Sequence, residues 1–233
     1  HKLHMGFLKI LKGSQIKQEV NIYGYKYYDQ PPYEILENNY LNFNELITLK
    51  RIEDLLERYY NSGRFTQSHL FIHQFIYPSY FDFYDNLRGF WGDKNLFAKA
   101  VSLNECYEQL HNFIKEQEPE LIDNFREVIR FDYLLGNIKG NLPKWCGYFY
   151  TKEDKERHAQ LVNHPLIISN YLPHLANVSR KERINLTHSD YFRVDICSKN
   201  FYKKRILVLF DYSKKEKDKN CFWAIPEGII SQL

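Results

Sequence analysis

His69 and His73 are the one spacing in this chain with metal chemistry behind it: imidazoles at i and i+4 share a helical face and form one edge of a coordination shell. An ion needs a third ligand. No Glu follows in the zincin pattern and Asp82 and Asp85 are merely nearby carboxylates, so ordinary interface histidines are the preferred reading. A second chemistry is suggested by a tripeptide that occurs twice, Phe131-Asp132-Tyr133 late in an expected helix and Phe210-Asp211-Tyr212 at an expected strand end. Asp132 with Tyr133, and Asp211 with Tyr212, set an acid beside a phenol, a pairing suited to proton transfer. Against it stand structural roles: an Asp at a strand end takes turn amides, and one late in a helix pairs with Arg, here Arg126 or Arg130. Gly6 and Gly13 are too far apart for a phosphate loop, Gly136 to Gly140 lacks the strand-loop-helix frame, and no nucleophile elbow supports a Ser/His/Asp triad. The chain therefore carries no self-sufficient catalytic or metal-binding constellation by sequence.

Charge is uneven. The 233 residues carry +3 overall, yet Ala176 to Asn220 holds twelve Lys/Arg against six Asp/Glu, a net +6, interleaved with Tyr191, Phe192, Phe201, Tyr202 and Tyr212. Basic residues with aromatics on a small sheet suit RNA backbone contacts and base stacking. A solvated hairpin with lysines protecting sheet edges is the preferred alternative, because Asp190, Asp195 and Asp211 interrupt the stripe. Cys106, Cys146, Cys197 and Cys221 show no C-x-x-C spacing and are expected as free thiols, although Cys197 and Cys221 would face each other if their segments pair. Aromatics at 17% imply a ring-packed core, and no apolar run approaches the roughly 20 residues that span a bilayer. A soluble, cytoplasmic protein with no membrane partner is expected.

The elements that must position these residues are mostly helices. Asn42 and Glu45 form a capping box ahead of Leu46, Leu49, Ile52, Leu56 and Tyr59, and Asn61-Ser62-Gly63 stops the run. Further helices are predicted from Thr66 to Ile76, from Pro78-Ser79 to Gly92, after a Ser102/Glu105 box, and from Pro119 to Gly136, making five. Thr151 and Asp154 start a charged helix, Pro165 and Pro173 break up the stretch after it, and an Arg/Lys-rich turn spans Arg180 to Arg183. Tyr191–Ile196, Arg205–Phe210 and Cys221–Ile225 read as strands of an antiparallel meander, with a polar loop from Ser213 to Asn220, low in complexity over Lys214 to Lys219. The expected class is mainly α with a small antiparallel sheet near the C-terminus, α+β, as a five-helix bundle followed by a mixed α/β segment.

At the other end, His1-Lys2-Leu3-His4-Met5 reads as a cloning scar with an engineered start at Met5. Gly6 to Ser14, Tyr23-Gly24-Tyr25, Pro31-Pro32-Tyr33-Glu34-Ile35-Leu36, Leu49-Lys50-Arg51-Ile52-Glu53 and Tyr59 to Phe65, continued by Arg130 to Tyr133, resemble the C-terminal region of cobalamin-binding radical SAM proteins, with a domain of unknown function (4080) after the barrel. The resemblance implies four parts: a scar over residues 1–4, the end of a barrel over 5–41, a helical domain over 42–140, and an α+β part over 141–233 packed on it. It implies a parent enzyme that uses a four-iron four-sulfur cluster, S-adenosylmethionine and cobalamin. The Cys-x3-Cys-x2-Cys motif and axial His motif that hold these groups in the family do not occur here, so no functional residue carries over. The fragment is then an accessory domain that caps the active site or docks substrate, not catalytic alone, with RNA or protein binding by the basic region as the alternative. Its partners would be its own N-terminal domains, an RNA or protein substrate, and a second copy joined through truncated barrel strands. Phe7 to Leu11 must in any case be re-paired or covered.

Overall fold

Five helices begin where a short polar side chain accepts a backbone N–H three residues on: Asn42, Ser79, Ser102, Thr151 and Ser179 each serve as this cap. Asn42 and Thr151 do so within full capping boxes, with Glu45 and Asp154 reaching back. The computed structural model describes residues 2–136, 142–213 and 222–231. In chain order it contains α1 (Val20–Tyr23), β1 (Lys26–Tyr27), β2 (Ile35–Glu37) and α2 (Phe43–Leu55), which runs into a π-helical turn over Leu56–Asn61. Next come α3 (Thr66–Phe75), α4 (Tyr80–Asp93), α5 (Leu103–Gln117), α6 (Ile122–Leu135), α7 (Lys152–Asn163), α8 (Pro165–Asn170) and α9 (Arg180–Leu186). The chain then forms β3 (Thr187–Val194), β4 (Lys203–Asp211), β5 (Phe222–Ile225) and α10 (Glu227–Ile230). The fold is α+β, mostly helical with small antiparallel sheets, the larger one near the C-terminus. Gly140, the loop segment 214–220 and Cys221 lie outside the described residues. No helix among the described residues is long and apolar enough to cross a membrane.

Two units divide the chain, His1–Gly63 with Ser79–Val101, and Arg64–Pro78 with Ser102–Leu233. In the first, the apolar N-terminal run is paired rather than bare. Lys9 bridges Glu34, the Ile10 N–H donates to Tyr33 O at 2.8 Å, the Ile35 N–H donates to Leu8 O at 3.0 Å, and Ile10 is buried. α2 lies on α4; Leu55, Tyr59, Leu87 and Trp91 are fully enclosed, and the Tyr59 ring, in the π-helical turn after α2, is set edge-on to Trp91 at 6.0 Å.

The second unit is organised by the meander β3-β4-β5. Alternation sends Phe192 and Phe210 toward α6, where Phe131 meets Phe192, Phe210 and Phe222 at ring distances of 5.6, 5.3 and 4.9 Å. The opposite face sets Leu207, Leu209 and Ile225 against Leu161, Val162, Ile167, Leu172 and Leu175. With both faces covered, β4 is buried from Ile206 to Asp211, as its unbroken apolar run predicts. β3 starts at Thr187, four residues before the expected Tyr191. The polar stretch Thr187-His188-Ser189-Asp190 conceals a strand because Thr187, Ser189 and Asp190 are buried in hydrogen-bonding roles. Short helices α8 and α9 occupy the stretch whose prolines and basic residues predict irregular chain, with Pro165 at the first helical position.

Phe131→Ala should remove the ring shared by three strands and cost about 3–5 kcal/mol, read as a lower urea midpoint at unchanged slope. Phe131→Leu, which retains most of the volume, should cost less than half as much.

Candidate functional site

Each candidate from the sequence holds a structural post. α3 has no capping side chain of its own at Phe65, and Asp132 supplies one from α6. Its Oδ1 accepts the Gln67 N–H at 3.1 Å and its Oδ2 the Ser68 N–H at 2.7 Å. Complete burial pushes the Asp132 carboxyl up to about 7, against the pull of those bonds. The expected pairing with Arg126 or Arg130 is not made: Arg126 holds Asp123, and Arg130 turns elsewhere. Tyr133 is buried between the rings of Tyr107 and Trp145, at 5.2 and 6.2 Å, and burial raises its pKa. Asp211 takes the Ser213 N–H and hydroxyl on Oδ1, as an Asp ending a strand does, while His174 Nε2 stands 2.8 Å from Oδ2. Tyr212 donates its hydroxyl to Leu134 O at 2.9 Å, tying β4 to the end of α6.

The two histidines share α3 but bond the backbone. His69 Nδ1 donates to Phe65 O at 2.8 Å, and burial lowers its pKa to about 4, so it is neutral. His73 Nδ1 is 3.3 Å from Tyr77 O. Among the described residues no group of three His, Cys, Asp or Glu side chains is placed to hold a metal. Cys106, Cys146 and Cys197 are free thiols.

The unexpected centre is the outer edge of β3. A sheet edge leaves alternate N–H and C=O groups without a strand to pair with, and here side chains take them. Tyr150 donates its hydroxyl to Ser189 O at 3.3 Å, Asp190 Oδ1 accepts the Tyr191 N–H at 2.8 Å, Arg130 Nη2 donates to Tyr191 O at 2.7 Å, and Glu127 Oε2 accepts the Arg193 N–H at 3.3 Å. Arg130 also holds Asp190 at 2.7 Å and Glu127 at 2.6 Å, and its guanidinium lies 4.3 and 4.7 Å from the Phe192 and Tyr148 rings. Arg130 is 1% exposed and Asp190 0%, so every charge in this group depends on the others.

Beside it, Tyr148, the Thr151 N–H and Arg157 converge on Asp154. Burial acts to raise that carboxyl, but these donors together with the Thr151 hydroxyl outweigh it and hold it at about 2. His158 Nδ1 is 3.0 Å from Ser189 Oγ, a distance suited to nucleophile activation. Both groups are buried, so the contact fastens β3 to α7, and burial lowers the His158 pKa to about 4. Arg183, counted by sequence with the basic stripe, is buried and donates to Leu175 O, Ala176 O and Val178 O. The one sequence signal for the edge network is Arg130 itself, a charge inside the apolar run Val128-Ile129-Arg130-Phe131.

Around this network opens a cleft of about 650 Å³ lined from α6, residues 146–148, the start of α7, the end of β3 and the start of β4. Seven Arg and Lys side chains face it against three carboxylates. Arg126, Arg130 and Arg157 are paired with acids, whereas Arg193, Lys203, Lys204 and Arg205 make no ion pair with a described carboxylate. The arrangement attracts anions; the one thiol among the described lining residues, Cys146, is pushed up to about 12 by burial and is therefore held protonated.

Arg130→Met should strand Asp190 and Glu127 in the interior and lower stability by about 3–5 kcal/mol; a double change with Asp190→Asn should cost less than the two single changes summed, measured by urea unfolding. For Asp132 the sign follows from a folded pKa of about 7, above the ordinary 3.8. Its contribution is complete below pH 3.8 and is lost as pH rises through 7, so stability should fall over that window in the native chain and fall less in Asp132→Asn. No curated protein and no solved structure is matched by this chain. The family described as protein of unknown function (DUF4080) matches residues 21–210, and the chain belongs to it.

Proposed function

We propose that this chain is the C-terminal accessory domain of a cobalamin-dependent radical SAM enzyme of the cytoplasm, where it caps the reaction chamber or docks substrate and is not catalytic alone. The observation that carries the reading is the employment of its own acids. Asp132 gives both oxygens to the first turn of α3, Asp211 gives one to the turn after β4, and each is only 1% exposed, so neither carboxyl faces a ligand. The described residues do not fit a four-iron cluster, since no three ligating side chains converge, and no Cys-x3-Cys-x2-Cys run occurs in the sequence. Cluster, S-adenosylmethionine and cobalamin therefore belong, in this proposal, to other domains of the parent, and no step of their chemistry is assigned to residues of this chain. A cap excludes water and oxygen from a radical intermediate and helps to shape the substrate site.

Removing Asn42 to Leu233 from the full-length parent should weaken substrate binding and increase S-adenosylmethionine cleavage uncoupled from product. If both quantities stay at their full-length values, the cap and docking role is wrong. A second reading, that the basic C-terminal region docks an RNA or protein substrate, is favoured by the cationic cleft.

A further inference from the structure

We infer that the cleft beside the β3 edge is a binding site for a ligand carrying several phosphate groups, held by Arg126, Arg157, Arg193, Lys203, Lys204 and Arg205. This deepens the docking reading but stands apart from the parent-enzyme assignment, because it rests only on the cleft. Four elements contribute: α6 brings Arg126, α7 Arg157, β3 Arg193 and β4 the run Lys203-Lys204-Arg205. Edge protection accounts at most for Lys203, Lys204 and Arg205, which lie on β4 before its pairing with β5 begins at Leu207; it does not account for Arg126 and Arg157, which come from helices and converge on the same cleft.

The inner guanidinium groups are already fixed in place. Arg157 is held by Asp154 and lies 4.6 Å from the Tyr191 ring, and Arg205 lies 4.0 Å from the same ring. Planar forks immobilised in this way lose little freedom when they receive an oxyanion. Among the described carboxylates Arg126 pairs with Asp123, whose side chain is 85% exposed. A pair so open contributes about 0–1 kcal/mol, and a phosphate replaces it readily. Arg193, Lys203, Lys204 and Arg205 supply four more positive groups with no described carboxylate as partner.

Charge density selects the ligand class. About 650 Å³ is the size of a small-molecule site, and neutralising within it four cations that have no described carboxylate as partner takes several negative charges in a short length. An oligophosphate or a phosphodiester run provides that, whereas carboxylates on a peptide are spaced by their backbone. The rings at the cleft are occupied by cations, Tyr191 by Arg157 and Arg205, and Tyr148 and Phe192 by Arg130. Bases therefore find no free stacking platform, and recognition is of phosphates without regard to base.

Titrating the 233-residue chain with inorganic tripolyphosphate by calorimetry, at about 25 mM and about 200 mM salt, tests the site. Binding is expected at low salt and should weaken steeply at the higher. Lys204→Glu and Arg205→Glu should each weaken it at least about tenfold and lower the salt slope by about one, with unfolding midpoints unchanged. Lys181→Glu, the same charge change at an exposed position outside the cleft, should leave binding intact. Labelled oligouridine and oligoadenosine identify the phosphate source: displacement of both by tripolyphosphate assigns a strand backbone to this site, and no strand binding assigns a free phosphorylated ligand. No tripolyphosphate binding at low salt would overturn the inference, as would an equal loss in Lys181→Glu. Equal affinity for an oligoglutamate peptide would overturn the choice of phosphate.

Discussion

A strand at the rim of a sheet has to dispose of its outward N–H and C=O groups, and when the rim is covered by other elements water cannot serve every one of them. In the larger unit this requirement falls on β3, where residues 189, 191 and 193 turn backbone groups away from β4. Tyr150, Asp190, Arg130 and Glu127 answer it in place of a fourth strand. Much of the surrounding architecture is set by the need to hold those four side chains still. α6 must run past β3 to deliver Glu127 and Arg130 from successive turns, and residues 148–150 must lie across the strand to bring Tyr148 over Arg130 and Tyr150 to Ser189.

Burying Arg130 with Asp190 is expensive in isolation, since desolvation of two charges commonly exceeds their mutual attraction. What tips the balance is the number of bonds each group makes. Arg130 donates to Asp190, Glu127 and Tyr191 O while two rings take its flat faces, and Asp190 also accepts the Tyr191 N–H. The pair is a weak source of net stability and a strong source of geometric specification: any sliding of α6 along β3 would break several charge-assisted bonds together. The cleft inherits that rigidity, because its inner wall is the outer side of the same network.

Structure is legible in the sequence wherever the physics is local. Asn42 with Glu45, Ser102 with Glu105 and Thr151 with Asp154 mark helix starts because a cap and its target are three residues apart. The meander is visible in the apolar runs of β4 and β5. The start of β3 is not, since Ser189 and Asp190 are polar yet fully buried, and their partners Tyr150 and Arg130 stand 39 and 60 residues away. Asp132 stands out as an acid in an apolar setting, but its neighbours in sequence point to an arginine partner that it does not take. It caps a helix 64 and 65 residues upstream, a relation that no spacing rule encodes.

The repeated Phe-Asp-Tyr tripeptide shows how one local sequence yields two outcomes under the same constraint. Phe131 and Phe210 meet ring to ring at 5.3 Å, which brings α6 and β4 together. From that contact the acids diverge toward the nearest backbone donors left over by secondary structure, Asp132 to the open first turn of α3 and Asp211 to the turn after β4. Unpaired backbone groups near the core thus claim these two buried carboxylates, and the cations with no described carboxylate as partner are those at the periphery of the network. Excess positive charge at one concavity is unfavourable for the isolated fold, through mutual repulsion of Arg193, Lys203, Lys204 and Arg205. A ligand of opposite charge would relieve that repulsion, so the distribution that is poorest for stability is the one best suited to recognition.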